Sequence, residues 1–338
     1  MPDHSLSTTR NDRLPVQIGA ATLARFVINV SRRFLYPFAP AISRGLGVPL
    51  PAVTSLIAVN QATGLLSPFF GPLSDRWGYR VMLLSGMVLL VVGMWSIAIF
   101  PIYAVAVIGI FLGGLAKSVF DPALQAYIGE RVDFRRRGRV IGLVEMSWAG
   151  ATLVGIPLMG VLMSRWGWQS AFWVLGGLGL ASLGLLGLVI PAAKQQRPLQ
   201  ISDANFGQAW RAIRGSRPAI GALIFGFLLS MANDNLFVIY GAWLETGFKL
   251  GMVALGGVTT VIGVAELGGE TLVATVSDRL GLKRAVILGM LLTIAGYLLL
   301  PLAGGSLVTA LATLFFVFIS FEFTVVTSFP LMTEVLPV

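Results

Sequence analysis

The sequence predicts an all-α polytopic membrane protein built from two related helical bundles. Three observations predict it. Hydrophobic residues fill 56% of the 338 positions and charged residues only 12%, with a mean hydropathy of +0.84; a water-soluble domain carries about 25% charged residues. The apolar residues fall into ten runs, each close to the length of about 20 residues that a helix needs to span a bilayer. One charged turn occurs twice, as Ser74-Asp75-Arg76-Trp77-Gly78 and Ser277-Asp278-Arg279-Leu280-Gly281. Matching turns at corresponding places point to internal duplication.

The ten runs cover 16–42, 52–71, 81–100, 102–127, 140–163, 171–190, 218–244, 252–276, 285–302 and 307–329. Each is expected to be a helix, because lipid offers a backbone N–H or C=O no partner and a barrel would read as short alternating strands. The chain thus divides into a tail (1–15), six spans (16–190), a linker (191–217) and a four-span second bundle (218–338). Within the linker, 206–214 has the pattern of a short amphipathic surface helix.

Arginine and lysine set the orientation. One set of loops holds Arg76 and Arg80, then Arg131, Arg135, Arg136, Arg137 and Arg139, then linker bases, then Arg279, Lys283 and Arg284; the opposite loops hold Arg44, Arg165 and Lys249. The positive-inside rule places the rich set, and the N-terminal tail, in the cytoplasm. This accounts for the net charge of +9 without nucleic acid, for which no binding motif is present. Cysteine is absent and the single histidine is His4, so thiolate, zinc and Ser-His-Asp chemistry have no components here. No metal or cofactor is expected, and the tail lacks the pattern of a cleavable signal.

Charges inside the spans recur with a period of three. The first, fourth, seventh and tenth spans carry Arg25, Arg32 and Arg33; Lys117 and Asp121; Asp234; and Glu322. The third, sixth and ninth carry none, while the eighth adds Glu266 and Glu270 and the fifth Glu145. A charge at mid-span costs about 2.5–3.5 kcal/mol on insertion scales, so such groups gather around a wet interior. Arg25, Asn29, Arg32 or Arg33, and Tyr36 form one stripe along the first span. Alignment of the first and seventh spans sets Arg32 across from Asp234. We expect Arg32 or Arg33 to pair with Asp234 in the empty state and to contact an anionic or zwitterionic solute. Glu266 or Glu322 is the expected coupling carboxyl, because a desolvated carboxyl can hold a proton. Lys117 is a further cavity candidate, paired with Asp121 one turn away. Glu145 is expected to pair with loop bases, and Glu270 to neutralise a nearby base.

The segment Gly71-Pro72-Leu73-Ser74-Asp75-Arg76-Trp77-Gly78-Tyr79-Arg80 resembles the cytoplasmic loop signature of the major facilitator superfamily, and Asp278, Arg279 and Gly281 match its weaker second copy. The resemblance covers nearly the whole chain. It implies two six-helix bundles related by a pseudo-twofold, with the second incomplete here, and secondary transport of a small organic solute by alternating access. Export coupled to protons is the expected mode, with uptake or uniport left open and a non-transporting remnant or a membrane-embedded enzyme as the alternative readings. Lipid and solute are the implied partners, with no nucleic acid and a monomeric state, in the plasma or inner membrane. Asp75 and Asp278 would latch the cytoplasmic side, with Gly71, Arg76, Gly78, Arg80, Arg279 and Gly281 shaping the turn. The helix-5 antiporter pattern is met only by Pro157 and Gly160, and Gly109 stands where the helix-4 arginine of such proteins would be. Against the family's usual twelve spans, ten suggest a chain cut short.

Overall fold

The computed structural model describes residues 13–191, 211 and 214–335. Among them lie no strands, and the helices are α1 (Leu14–Arg33), α2 (Leu35–Leu46), α3 (Leu50–Ala62), α4 (Ser67–Trp77), α5 (Tyr79–Ile99), α6 (Tyr103–Arg131), α7 (Phe134–Gly150), α8 (Ile156–Trp166), α9 (Gln169–Val189), α10 (Arg217–Phe248), α11 (Met252–Leu272), α12 (Leu282–Leu299) and α13 (Leu307–Val335). Nine of the ten expected spans are continuous enough to cross a membrane. Most of the linker, including nearly all of 206–214, lies outside the described residues, as does the tail up to residue 12.

Prolines explain where spans bend. Proline has no N–H for the carbonyl four residues back. The second span accordingly breaks into α3 and α4 around a 3-10 turn, Thr63–Leu66, just ahead of Pro68. Pro37 likewise releases the carbonyl of Arg33, and the first span is offset at Phe34 between α1 and α2. In the fifth span a π-helical turn, Ala151–Gly155, joins α7 to α8 immediately before Pro157. Each irregularity lies beside a charged or polar residue of the interior, which is where π-bulges and breaks tend to occur in working proteins.

The charged motif is mostly helix and not the loop its polarity suggests. Helix α4 runs through Trp77 and α5 starts at Tyr79, so the reversal uses Gly78 alone, at φ 85°, ψ 147°. Gly281 reverses the chain with nearly the same geometry, φ 80°, ψ 134°. Only glycine holds that backbone shape without strain, so the duplication extends to dihedral angles. A third turn of this kind, at Gly167 with φ 82° and ψ 166°, joins α8 to α9. Its Arg165-Trp166-Gly167 echoes Arg76-Trp77-Gly78.

The molecule has two ends. Gln17 at the start of α1 bonds the Val189 carbonyl at the end of α9, and Arg80 bonds Gly187. These residues share an end with the Gly78 turn and, by helix parity, with the Gly281 turn. Arg131, Arg136, Arg137, Arg139, Arg279, Lys283 and Arg284 belong to this basic end; Arg44, Arg165 and Lys249 belong to the other. There Arg44 pairs with Glu245 at 2.7 Å.

Small residues bring helices together. Gly93 of α5 and Gly109 of α6 face each other so closely that a Cβ on either would lie 2.5 Å from the other's carbonyl oxygen, the close approach that drives helix association in lipid. Gly109 therefore has no room for the arginine of the antiporter pattern. Gly109→Val should lower stability by about 1–3 kcal/mol, the usual cost of overpacking; an unchanged melting temperature in detergent would contradict this crossing. The seventh span departs from expectation. Although α10 contributes to the centre, only 17% of its most apolar window is buried, and Leu223, Ile224, Phe227, Leu228 and Met231 are exposed along it.

Candidate functional site

The polar residues expected at bilayer depth gather in three groups. The first lies within residues 14–189. Arg25 donates from Nε to Asp121 at 3.1 Å and from Nη1 to Glu145 at 2.9 Å and to the Val144 carbonyl at 3.1 Å. Lys117 bonds Asp121 at 2.7 Å, as its i, i+4 spacing predicts, and Asn29 Oδ1 at 2.8 Å. Asn29 donates to Ser147 at 3.2 Å. Glu145 thus pairs with Arg25 and not with loop bases, because α7 packs along α1 and turns that face inward. Two bases and two acids balance here, so the cluster reads first as a structural clamp.

The second group bridges the halves. Arg33, 1% exposed, donates from Nη2 to Glu266 of α11, 3% exposed, at 2.5 Å. Thr152, in the π-helical turn, donates to the other Glu266 oxygen at 3.3 Å. The Arg33 guanidinium lies 4.3 Å from the Trp148 ring centroid and 5.2 Å from that of Phe237, distances at which a cation gains from an aromatic face. The base that pairs across the interface is therefore Arg33, and its partner is Glu266, not the expected Asp234. The 100° between neighbouring helical residues decides this: Arg32 bonds Gln61, which in turn donates to Tyr36 at 2.8 Å, and its charge acts on Asp234 across the interface without forming an ion pair.

The third group lies in the second half. Asp234, Glu270 and Glu322 have no hydrogen bond or ion pair among the described residues, so Glu270 does not neutralise a base as expected. All four bases inside the spans, by contrast, have at least one partner. Glu322 packs against α11 at Gly269, where a Cβ would meet the Glu322 Cβ at 2.6 Å. The side chains of Asp75 and Asp278, and with them the expected latch, lie outside the described set.

The halves meet near the less basic end. At Gly241 an added Cβ would be 2.6 Å from both Pro37 Cα and the Tyr36 carbonyl oxygen, and at Gly160 2.7 Å from the Met252 carbonyl oxygen. These contacts seal α2 to α10 and α8 to α11. At the basic end α1 and α4 have no comparable contact with the second half among the described residues, so the halves are joined less closely there than at the other end.

A lipid-embedded helical bundle, closed at one end and holding buried charge between two halves, is the construction of a membrane transport protein. The model of the Major Facilitator Superfamily matches residues 21–338, and the chain belongs to that family. Relatives include the uncharacterized MFS-type transporter YceJ of Bacillus subtilis (strain 168), 26% identical across 82% of this chain and 70% of its own length. The multidrug resistance protein MdtG of Serratia proteamaculans (strain 568) is 27% identical across 84% and 70% respectively. A crystal structure of a bacterial homolog of the human lysosomal transporter Spinster, in an inward-facing, unoccupied conformation, superposes with a TM-score of 0.77 at 14% identity, over 95% of this chain and 75% of that one. The protein is an integral membrane transporter and not an enzyme.

Proposed function

We propose that the protein moves a small organic solute by alternating access, as an exporter driven by protons, with its basic end and N-terminus in the cytoplasm and acting as a monomer. The observation that carries this reading is the pairing of an end sealed by backbone contacts with an end where the halves are joined less closely, and buried charge between them. A carrier must exchange those two ends, and Gly241 and Gly160 provide a seal made of backbone contacts that can part. The charge asymmetry of the two ends supports the orientation. Export is supported by relatives such as MdtG, whose name records multidrug resistance. In this reading Glu266 and Glu322 exchange protons, while Asn29, Arg32, Arg33, Lys117 and Asp234 surround the path. Asp75 and Asp278, with Gly71, Arg76, Gly78, Arg80, Arg279 and Gly281, govern closure of the cytoplasmic end.

The absence of native cysteine makes spin labelling clean. Pairs Ser55→Cys with Thr246→Cys report the sealed end, and Gly138→Cys with Lys283→Cys the other. In lipid vesicles each pair should give two separations by pulsed electron resonance, with the populations changing in opposite directions when pH is stepped. One fixed separation at both ends, at every pH, would overturn alternating access.

A further inference from the structure

We propose that the second half seats one chain of an anionic phospholipid in an apolar groove between α10, α12 and α13, with the headgroup held by Arg217, Lys283 and Arg284 at the basic end. This inference goes beyond the transport reading and does not depend on it.

The groove comes from an asymmetry between two otherwise matched halves. Aligning the Gly78 and Gly281 turns sets Gly86 of α5 against Gly289 of α12. Aligning Pro122 with Pro330 sets Ala116 and Phe120 of α6 against Thr324 and Ser328 of α13. Both glycines serve the same crossing: a Cβ at Gly86 would lie 3.1 Å from the Ala116 carbonyl oxygen, and one at Gly289 3.3 Å from Thr324 Cα. In the first half the fully buried Phe120 ring fills the space one turn on. Ser328 is too small to fill it, and a groove of about 250 Å³ remains there. Its walls are Pro218, Ala222 and Phe225 of α10, Val286 of α12, and Ser328 and Met332 of α13.

The lining suits hydrocarbon. Ser328, its one polar side chain, spends its hydroxyl on the Val325 carbonyl at 2.7 Å, so no side-chain group is left to compensate a polar solute for lost water. The groove follows two turns of α10, about 10 Å at 1.5 Å per residue, and so is about 25 Å² in section. That fits an extended acyl chain and not a helix, which is about 10–12 Å across. The neighbouring Ile224, Ile287 and Phe329 are exposed apolar side chains, so the groove opens on lipid. Charge selects the headgroup. Arg217 precedes Pro218, Lys283 lies three residues before Val286 and shares its face, and Arg284 is next to it. All three are exposed, and none has a hydrogen bond or ion pair among the described residues. Long basic side chains lay their stems along apolar walls and reach the surface with their charge. Basic pockets between spanning helices hold anionic headgroups in this way.

The test is native mass spectrometry of the intact protein in detergent, offered phosphatidylglycerol and phosphatidylcholine with identical oleoyl chains. One phosphatidylglycerol should stay bound, and phosphatidylcholine should not. Ser328→Phe, which restores the ring of the first half, should lower the retained fraction at least tenfold. Gly221→Leu, at a position where a Cβ would meet nothing within 4 Å, offers the same reading if that variant fails to fold. Arg217→Gln, Lys283→Gln and Arg284→Gln together should bring phosphatidylglycerol down to the level of phosphatidylcholine. Equal retention of both lipids by the unaltered protein, no retained lipid, or retention untouched by filling the groove would overturn the seat. Displacement of the lipid by glycerol phosphate would assign the bases to a free phosphate and overturn it as well. The same spectra report oligomeric state, and a dimer that Ser328→Phe dissociates would give the groove to a second copy and not to lipid.

Discussion

Glu266→Ala should destabilise the protein by about 3–5 kcal/mol, the cost of stripping the partner from a buried charge. The size follows from burial: Arg33 is 1% exposed and has no water to turn to. Its Nη1 already lacks a partner, and the flanking Trp148 and Phe237 rings can only partly replace a carboxylate. Removing both charges, as Arg33→Met with Glu266→Leu, should recover most of the loss, because a well-packed apolar pair often matches a buried ion pair. Chemical denaturation in detergent, followed by circular dichroism, gives both values. A loss below about 1 kcal/mol for the single variant, within the range of exposed ion pairs, would show that the bridge between halves is solvated and energetically minor.

Alanine at Gly241 should shift the conformational equilibrium away from the sealed state. Its methyl group would sit 2.6 Å from Pro37 Cα and from the Tyr36 carbonyl oxygen, and backbone atoms cannot move aside by changing rotamer. Overpacking of this kind costs about 1–3 kcal/mol, equivalent to a roughly 5–150-fold change in a two-state ratio. Gly160→Ala meets the Met252 carbonyl oxygen at 2.7 Å and should act in the same direction. Gly177→Ala, with nothing within 4 Å, is the matched control. Labels in α3 and α10 at the sealed end should show a larger long-distance fraction for the first two variants and not for the control. No change in any of them would mean these glycines do not form the seal.

Much of the architecture is legible in the sequence because lipid makes strict demands. A span of about 20 apolar residues has to be helical, so hydropathy places the runs, and prolines such as Pro37, Pro68 and Pro157 set their breaks. The doubled Ser-Asp-Arg-x-Gly motif locates the repeat. Its turn is harder to read, because polarity marks a membrane boundary and not a helix end: α4 carries Ser74 to Trp77 past the apolar run and leaves the reversal to Gly78. The third turn, at Gly167, is less visible since Ser164 stands where the other two have aspartate.

The sequence by itself determined the position and approximate length of the spans, their charge asymmetry and which ionisable groups lie deep in the membrane. Those features follow from transfer energies counted along one helix at a time. Only the tertiary structure decided who meets whom: Arg33 with Glu266, Arg25 with Glu145, and Asp234, Glu270 and Glu322 left without a hydrogen bond or ion pair among the described residues. Pairing depends on helix rotation and on close approaches such as Gly241 at Pro37, where a 100° change or a single methyl group redirects a side chain. Such quantities are properties of two helices together, and neither helix encodes them alone.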